Sequence, residues 1–525
     1  MRAILQQLGM MNKSMAASIL VIFSIFLSKF CILGDTQLFS SEEGYISVSI
    51  SDKGLVFVKD LLIDKAVSAL TPLQLPDIEK NVKIPVVGKV HIVLSDIVIY
   101  HIDVESSYVE SGEDGFVIAA SGATGNMSMS WKYSYKPWLV PIEVSDKGEA
   151  SVLVEGMEVA LLASLKSQEG KLNLSVVECG CSIEDVTIKV DGGASWLYQG
   201  LVEAFSHNIE SAVENAITKK INQGISKIDS LLQSLPQDIR VDDTASLNVT
   251  FIRDPIFDDS FVDFEINGLF VGTEKALRSK HHNVISEALA SCQGPAKMVA
   301  ISLHENVLNS ASLVYFRAGE MQWTLSKIPD HPILNTADWR EDVPQLYEQF
   351  PDDEMTLNVS VSSYPVLKVS GDTLDTIIYS DVTIDVLEVG EATSVACIWL
   401  VITASGSVEM SGNNLTGSIK LDNISLSSKW SSVGDLPLHL IEPVIASVLD
   451  GYLMPRLNSH LKHGFPLPVI HGIELQNPDI FLSDARITVC SDAAFSDNDS
   501  FFELPHVLDF ASILKNFPWN EPRIT

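Results

Sequence analysis

The sequence predicts an α+β protein of two halves, each a series of strands followed by a long amphipathic helix. Short runs in both halves alternate between apolar and polar residues, which is the period of a half-buried strand. The spacing of apolar residues changes to three or four near Ser195 and again near Leu438, which indicates a helix each time. One design used twice suggests duplication of a single supersecondary unit.

The first segment of the chain has the features of a targeting signal. Residues 1–34 carry sparse positive charge, at Arg2 and Lys13, before an apolar run from Met15 to Leu27. A run this short is typical of a secretory signal peptide, with a membrane anchor as the alternative. We therefore expect a mature protein that has no stable membrane span and is secreted outside the cytosol.

Secretion bears on the cysteines and on glycosylation. The chain has six cysteines, and cleavage of the leader would remove Cys31 and leave five. At least one thiol is therefore expected to stay free or to pair between chains. In a secreted chain some N-x-S/T sequons carry glycans. The candidate glycosylation sites are Asn126, Asn173, Asn248, Asn358, Asn414, Asn423 and Asn498.

Strands are predicted from Gly44 to Val190. The clearest is Asn126–Lys136, where every second residue is large and apolar and the residues between are polar. The first long helix is predicted over Ser195–Leu235, with a bend or break at Gly224. The turn-rich segment 237–260 is interpreted as the link between the halves.

The second half repeats this plan. Its helix is predicted over Leu438–Leu461, from apolar residues at helical spacing. The polar tail 491–500 is expected to be mobile. Strands are predicted over Met355–Val361, Thr376–Val386, Ser394–Ser405 and Ser418–Ser428.

Composition and charge exclude several classes of protein. With 46% hydrophobic and 20% charged residues, the chain is not disordered and buries a large core. Its 35 Lys and Arg against 68 Asp and Glu leave a net charge of −33. Non-specific binding to nucleic acid or to an anionic membrane needs a basic surface, so we expect no nucleic-acid partner.

The sequence lacks the motifs of common enzymes. It contains no G-x-S-x-G, H-E-x-x-H, G-x-x-x-x-G-K-[ST] or dinucleotide-binding glycine pattern. Cys179 and Cys181 have no second close pair to complete a metal site, so buried thiols or half of a disulfide are favoured. His281 and His282 are interpreted as a solvated surface pair. We expect no catalytic residues, no metal and no cofactor.

Two short segments of the first half concentrate lysines beside aromatic residues. Lys83 and Lys89 lie in NVKIPVVGK, and Lys132 and Lys136 lie in SWKYSYKPW. By alternation the lysines of the second segment share one face of a strand, while the other face carries Trp131, Tyr133 and Tyr135, with Trp138 just after the strand. Lysines bind phosphate, and aromatics with polar tips suit a boundary between apolar and wet surroundings. An ordinary hairpin, with tyrosines in the core and lysines in water, is the alternative.

Several segments in order resemble the bactericidal/permeability-increasing protein and lipopolysaccharide-binding protein family, most closely its plant members. GYISVSISDKGL is similar to the family's start, in which a strand precedes a Lys-Gly-Leu turn. GASWLYQ and HNIESAVENAI resemble its first long helix, and KMVAISLHENVLNSASLVYFRAG resembles the opening of its second domain. The most specific segment is MPRLNSHLKHGFPLP, which matches the end of the second helix at Pro455, Arg456, Gly464, Phe465, Pro466 and Pro468.

The resemblance implies a boomerang-shaped α+β protein of two barrel-like domains, each a twisted antiparallel sheet wrapped around its long helix, joined by a central sheet. The domains expected are 35–250 and 251–525, after the signal peptide 1–34. Each helix would border an elongated apolar pocket that holds phospholipid acyl chains. The pocket residues expected are Leu197, Leu201, Phe205 and Ile209 in the first domain and Leu440, Ile441, Ile445 and Leu449 in the second.

The resemblance also implies a ligand. Bacterial lipopolysaccharide would place its phosphorylated part against Lys83, Lys89, Lys132 and Lys136 and the neighbouring aromatics, in the service of innate immune defence. The acidic composition departs from the cationic antibacterial members, and no cysteine lies between Cys181 and Cys292 to form the family's first-domain disulfide. The alternative function is a carrier of endogenous phospholipid without a microbial ligand, and the alternative location is the vacuole. No cofactor is expected apart from bound phospholipid, which the apolar pockets would allow.

Overall fold

Three large antiparallel sheets, one small sheet and six α-helices make up the described part of the chain. The computed structural model describes residues 44–495, apart from 85–87, 113–114, 137–141, 192–194, 259, 273–291, 293–296, 327–333, 389–390, 470–471 and 484. The described residues do not include the predicted leader, Trp138, His281, His282 or Asn498.

The first half contains nine strands and two helices. In chain order they are β1 (Ile46–Ser51), α1 (Asp52–Leu70), β2 (Leu73–Gln74), β3 (Ile78–Ile84), β4 (Gly88–Asp103), β5 (Ser106–Gly112), β6 (Gly115–Tyr135), β7 (Val144–Gln168), β8 (Lys171–Ser182), β9 (Asp185–Asp191) and α2 (Ser195–Ser234). The eight strands other than β1 form one sheet of order β2-β4-β6-β7-β8, in which β3 pairs with β4, β5 with β6 and β9 with β7.

Short strands connect the halves. They are β10 (Asp238–Arg240), β11 (Ala245–Asn248), β12 (Ile256–Asp258), β13 (Phe261–Ile266) and β14 (Phe270–Gly272). The interpretation of 237–260 as a simple link was therefore incomplete, because two of its strands form a three-stranded sheet with β14. Polar side chains such as Asp242 and Asn248 bond to nearby backbone and masked the strands in the sequence.

The second half contains the remaining strands and helices, together with a 3₁₀ turn at Thr336–Trp339. They are β15 (Val299–His304), α3 (Glu305–Arg317), β16 (Gln322–Leu325), α4 (Pro344–Gln349), β17 (Glu354–Val361), β18 (Val366–Ser370), β19 (Thr373–Glu388), β20 (Glu391–Ser411), β21 (Asn414–Ser431), α5 (Leu438–Val448), a π-helical turn (Leu449–Leu453), α6 (Met454–Leu461), β22 (Phe465–Pro466), β23 (Ile473–Ser483) and β24 (Arg486–Phe495). The seven-stranded sheet has the order β16-β17-β19-β20-β21-β22, with β18 on β19.

A central six-stranded sheet is shared by the two halves. Its order is β12-β13-β1-β15-β24-β23, so β1 of the first half lies between β13 and β15. Residues 491–495 belong to β24, and Ser491 pairs with Val299 and is fully buried. The expectation of a mobile tail from residue 491 was wrong for these five residues, because pairing and burial outweigh their polar composition.

Helix α1 was missed by the strand prediction for 44–190. It begins where Ser51 caps the helix by accepting a hydrogen bond from the Gly54 amide, with Asp52 in the first turn. The Lys-Gly-Leu segment is thus the first turn of a helix. Gly54 is required there, because a Cβ atom would lie 2.5 Å from the carbonyl oxygen of Met298.

The two long helical regions confirm the predicted plan. Helix α2 runs through Gly224 without interruption, so the predicted break at this residue is wrong, and the alternative of a bend stays a prediction. In the first core, α2 contributes Phe205, Ile209, Val213 and Ile217 against the eight-stranded sheet. In the second half, α5 and the π turn pack Ile441, Ile445 and Leu449 against the seven-stranded sheet.

Candidate functional site

The outer face of the eight-stranded sheet of the first half carries a group of lysines near one end. The register places Lys83 directly opposite Lys89, and Lys132 directly opposite Lys147. Lys136 follows the last residue of β6. All five residues are exposed. Lys132 lies between the buried Trp131 and Tyr133, so strand alternation turns its side chain away from the core. We call Lys83, Lys89, Lys132, Lys136 and Lys147 the lysine face.

Electrostatics keep part of the lysine face available to an anion. Like charges directly opposite each other on paired strands repel. Among the described residues Lys83, Lys89 and Lys132 form no ion pair, whereas Lys136 Nζ lies 4.0 Å from a carboxylate oxygen of Glu143. The same face also carries Glu79, whose carboxylate lies 3.0 Å from His91 Nε2.

The aromatic residues of β6 lie on the opposite side of the sheet. Trp131 and Tyr133 are 2% and 6% exposed, their rings stack at 5.9 Å, and Tyr135 continues the stack at 6.3 Å. Trp131 Nε1 donates to the Glu149 carbonyl oxygen, and burial, together with Asp146 and Tyr135, raises the pKa of Tyr133. A group bound to the lysines on the outer face does not touch Trp131 or Tyr133, which form one end of the core.

Sequence reasoning missed one lysine. Lys147 joins the lysine face through the pairing of β6 with β7, a tertiary relation that spacing along the chain does not reveal. Lys80, three residues before Lys83 on β3, is directed elsewhere, because its Nζ donates to Ala204 O and Asn208 Oδ1 of α2.

The predicted pocket residues of the first half lie along α2. Phe205 and Ile209 are buried in the first core. Leu197 and Leu201 lie on the first turns of the helix, where the structure describes the backbone and not the side chains.

Two apolar hollows lie in the second half, between the helical stretch from α5 to the π turn and the seven-stranded sheet. Their free volumes are about 50 and 30 Å³, and Leu357, Val382 and Ile445 line both. The larger one is bordered by Val444, Val448, Leu449 and Leu453 on the helical side and by Trp323, Leu325, Val359 and Leu400 on the sheet side.

The predicted residues of the second helix divide between these hollows and solvent. Ile445 lines both hollows, Leu449 the larger and Ile441 the smaller. Leu440 is 44% exposed on the other side of α5 and lines neither. The apolar spacing of the sequence identified the helix, but it did not indicate that Leu440 faces outward.

Comparison with known proteins identifies the family. The N-terminal and C-terminal domain models of the LBP / BPI / CETP family match residues 54–235 and 239–495. A BPI/LBP family protein of Arabidopsis thaliana is 48% identical over 477 residues, which are 91% of this chain and 97% of that protein. The chain belongs to the LBP / BPI / CETP family.

More distant members of the LBP / BPI / CETP family cover most of the chain. The bactericidal permeability-increasing protein of Sebastes schlegelii is 25% identical over 86% of this chain and 95% of its own length. The human lipopolysaccharide-binding protein is 23% identical over 81% of this chain and 88% of its own length. A crystal structure of lipopolysaccharide binding protein superposes with a TM-score of 0.61 at 19% identity, covering 86% of this chain and 99% of that one. The fold is therefore the two-domain fold of this family, as the sequence predicted.

Two of the cysteines of this family member form a disulfide at the central sheet, and three free cysteines lie on the other two large sheets. Cys292 and Cys490 form a disulfide across a sequence separation of 198 residues, while Cys179, Cys181 and Cys397 are free. Burial, with Glu214 and Cys179 nearby, raises the pKa of Cys181 to about 12. These thiols therefore stay protonated near neutral pH and are poor nucleophiles.

Neither a metal centre nor a membrane-spanning helix is found among the described residues. The described residues contain no group of three or more His, Cys, Asp and Glu that is placed to hold a metal ion. No helix within the described ranges combines the length and the hydropathy that crossing a bilayer requires.

Proposed function

We propose that this protein is a secreted, non-enzymatic lipid-binding protein that recognises bacterial lipopolysaccharide in innate immune defence. Acyl chains enter the apolar hollows of the second half, and in the first half the proposed acyl site is the pocket predicted along α2. The phosphorylated part of the lipid is held by the lysine face. Secretion follows from the leader predicted in residues 1–34.

The observation that carries this proposal is the continuous apolar strip beneath α5. The two hollows share Leu357, Val382 and Ile445, and every residue that lines them is apolar. Buried methylene groups contribute about 0.8 kcal/mol each, so this surface favours a hydrocarbon chain over a polar ligand. Family membership, with relatives named for binding lipopolysaccharide, supports the choice of lipid class.

The free volume requires the hollows to widen when a chain enters. Volumes of about 50 and 30 Å³ hold only a few water-sized groups. The helix that covers them is suited to such movement, since Pro443 removes a hydrogen bond within α5 and the π turn interrupts the regular ladder after it. We expect α5 and the π turn to move outward when lipid binds.

The lysine face supports a phosphorylated head group. Opposed lysines without ion pairs among the described residues gain free energy when a phosphate lies between them. We expect the variant Lys83→Ala/Lys89→Ala/Lys132→Ala/Lys136→Ala to bind lipopolysaccharide about tenfold more weakly or worse at low salt, measured by titration calorimetry.

A variant of equal charge controls for the acidic background. Substituting Lys219, Lys220, Lys227 and Lys420, which are exposed on α2 and β21, removes the same number of cations away from the lysine face. This control should bind lipopolysaccharide like the wild type. Equal affinity of both variants, or no binding by the wild type, contradicts recognition at the lysine face.

A second function, transport of endogenous phospholipid, is favoured by the acidity of the protein. The net charge is −33, and Glu79 and Glu143 lie on the lysine face itself. Mass spectrometry of lipids extracted from the protein purified from its own tissue separates the two. Stoichiometric host phospholipid together with no affinity for lipopolysaccharide would favour the carrier.

A further inference from the structure

An exposed aromatic surface lies on the outer face of the seven-stranded sheet. Tyr379 of β19 and Trp399 of β20 are 39% and 44% exposed, and their rings stack with centroids 6.1 Å apart and planes inclined by 25°. Trp430 of β21 is 43% exposed on the same sheet. We call Tyr379, Trp399 and Trp430 the aromatic platform. Contiguous exposed apolar patches on a protein surface often mark a binding site.

One glycosylation sequon lies beside this platform. Asn423 of β21 is the only exposed residue among the sequon asparagines of the described ranges, and its neighbour Ile424 is buried, so the Asn423 side chain points outward. The other described sequon asparagines are partly buried: Asn126, Asn173, Asn248, Asn358 and Asn414.

Hydrogen bonds distinguish Asn423 from most of these residues. The amide nitrogen of Asn173 donates to Asp229, that of Asn358 to Asp385, and that of Asn414 to the His463 carbonyl oxygen. These nitrogens are the atoms that a glycan would occupy. Within the described part of the chain, Asn423 makes no such bond.

The register brings Asn423 close to the platform. Asn423 pairs with Thr403 of β20, and Trp399 lies four residues earlier on β20, on the same outer side. Tyr379 pairs with Val401, the residue between them on this face. With a rise of about 3.3 Å per residue and about 4.8 Å between strands, Trp399 and Tyr379 both lie about 12–14 Å from Asn423. The inner sugars of an N-linked glycan span a comparable distance.

We propose that Asn423 carries an N-linked glycan whose inner sugars lie across Trp399 and Tyr379. The glycosyl group comes from a lipid-linked sugar diphosphate: the Asn423 amide nitrogen bonds to the anomeric carbon and loses a proton, and the diphosphate leaves. The C–H face of each pyranose packs flat against an aromatic ring and covers apolar surface that otherwise faces water. The proposal rests on the secretory route of the proposed function, but not on which lipid is bound.

The first experiment measures occupancy of the site. The full-length chain is expressed in a eukaryotic secretory system, and glycopeptides are identified by mass spectrometry. We expect Asn423 to be occupied in most molecules and Asn173 and Asn358 in few. An unmodified Asn423, whether or not the protein is secreted, overturns the proposal, whereas lipid binding by the same sample is assayed separately and tests the proposed function.

The second experiment tests contact between the glycan and the platform. Ser425→Ala removes the sequon and leaves Asn423 and the platform intact. In a double-mutant cycle, the fall in Tm caused by Ser425→Ala should be at least halved when Trp399 is already Leu, because the glycan then has lost its main contact. Tyr100→Leu, which alters an exposed tyrosine of the first sheet, is the matched control and should leave the effect unchanged. Equal falls in Tm in all three backgrounds overturn the platform.

Discussion

For single side chains, the strand and helix faces decide which predicted site residues meet solvent and which meet the core. Lys132 and Trp131 are neighbours in the sequence, yet the lysine faces solvent and the tryptophan forms part of the core. Ile445 and Leu440 lie on one helix, yet only Ile445 lines the hollows. Residue type alone predicted all four as site residues. The direction of each side chain decides which of them face solvent and which face the core or the hollows.

The hollow can be blocked at Ile445. We predict that Ile445→Trp reduces the lipid bound per protein molecule by at least half, because the indole fills space shared by both hollows, with an overpacking cost of roughly 1–3 kcal/mol. Leu440→Trp, on the exposed side of the same helix, should keep wild-type lipid content. Quantitative lipid extraction measures both, and full lipid content in the Ile445 variant would contradict an acyl site there.

A partly buried histidine makes stability depend on pH. His304 accepts a hydrogen bond from the Asn306 amide as the cap of α3, and burial, with Arg486 nearby, lowers the pKa of His304 from 6.5 to about 4. Since the folded state disfavours the protonated ring, its contribution is complete above pH 6.5 and is lost as the pH falls toward 4.

Replacing this histidine tests that dependence. His304→Asn keeps a capping acceptor but does not titrate, so the fall in unfolding free energy between pH 6.5 and 4 should be smaller by roughly 1–3 kcal/mol. Denaturant unfolding at several pH values measures it. His207→Asn is the control, since that side chain is 90% exposed. An identical pH profile for His304→Asn and the wild type would refute the assignment.

Among the elements, asparagine side chains join helices to strand edges. Asn309 of α3 accepts from the Leu367 amide and donates to the Leu367 carbonyl, and Asn458 of α6 does the same at Ile419 of β21. Each side chain thus acts as a short length of neighbouring strand. The α6 contact also fixes the end of the helical region that covers the hollows.

These asparagines should contribute measurably to stability. We predict that Asn309→Ala and Asn458→Ala each lower the unfolding free energy by about 1–3 kcal/mol, because two backbone groups at a partly buried edge lose their partner. Asn215→Ala, which removes an amide that bonds to Ser211 within α2, should change it by less than about 0.5 kcal/mol. Thermal unfolding of the three variants compares them, and equal Tm values would show that the edges do not depend on these bonds.

Across the whole molecule, the central sheet joins the two halves. It takes β1 from residues 46–51 and pairs it with β15 from residues 299–304, and the Cys292–Cys490 disulfide lies at the same sheet. Strands from both halves of the chain therefore belong to one shared sheet. The predicted domain boundary between residues 250 and 251 falls between β11 and β12, and it stays a prediction.

The disulfide should stabilise this arrangement. Closing a loop of this length restricts the unfolded chain, so we predict that Cys292→Ala lowers the unfolding free energy by roughly 2–5 kcal/mol. The variant leaves Cys490 as a buried thiol, and reductant on the wild type should produce the same fall in Tm. Cys179→Ser, at a free thiol, serves as the control. A reductant-insensitive Tm would contradict the stabilising role.

Periodicity and composition were sufficient to predict the strands and long helices whose signals lie within one short stretch of the chain. The alternation in 126–136 and the apolar spacing in 195–235 are local signals, and both elements formed where predicted. Helix α1 was missed because its start is decided by the Ser51 cap and by the close approach of Gly54 to the backbone of Met298, which lies far away in the sequence.

By itself the sequence determined the family, the two-fold use of a sheet and a helix, and the residue types present at the candidate sites. Only the tertiary structure decided that Lys147 completes the lysine face, that Leu440 faces solvent, that Cys292 pairs with Cys490, and that Asn423 stands beside the aromatic platform. The physical reason is that alternation and spacing act between near neighbours in the chain. Strand register and the side of a helix that becomes buried are instead set by partners tens to hundreds of residues away.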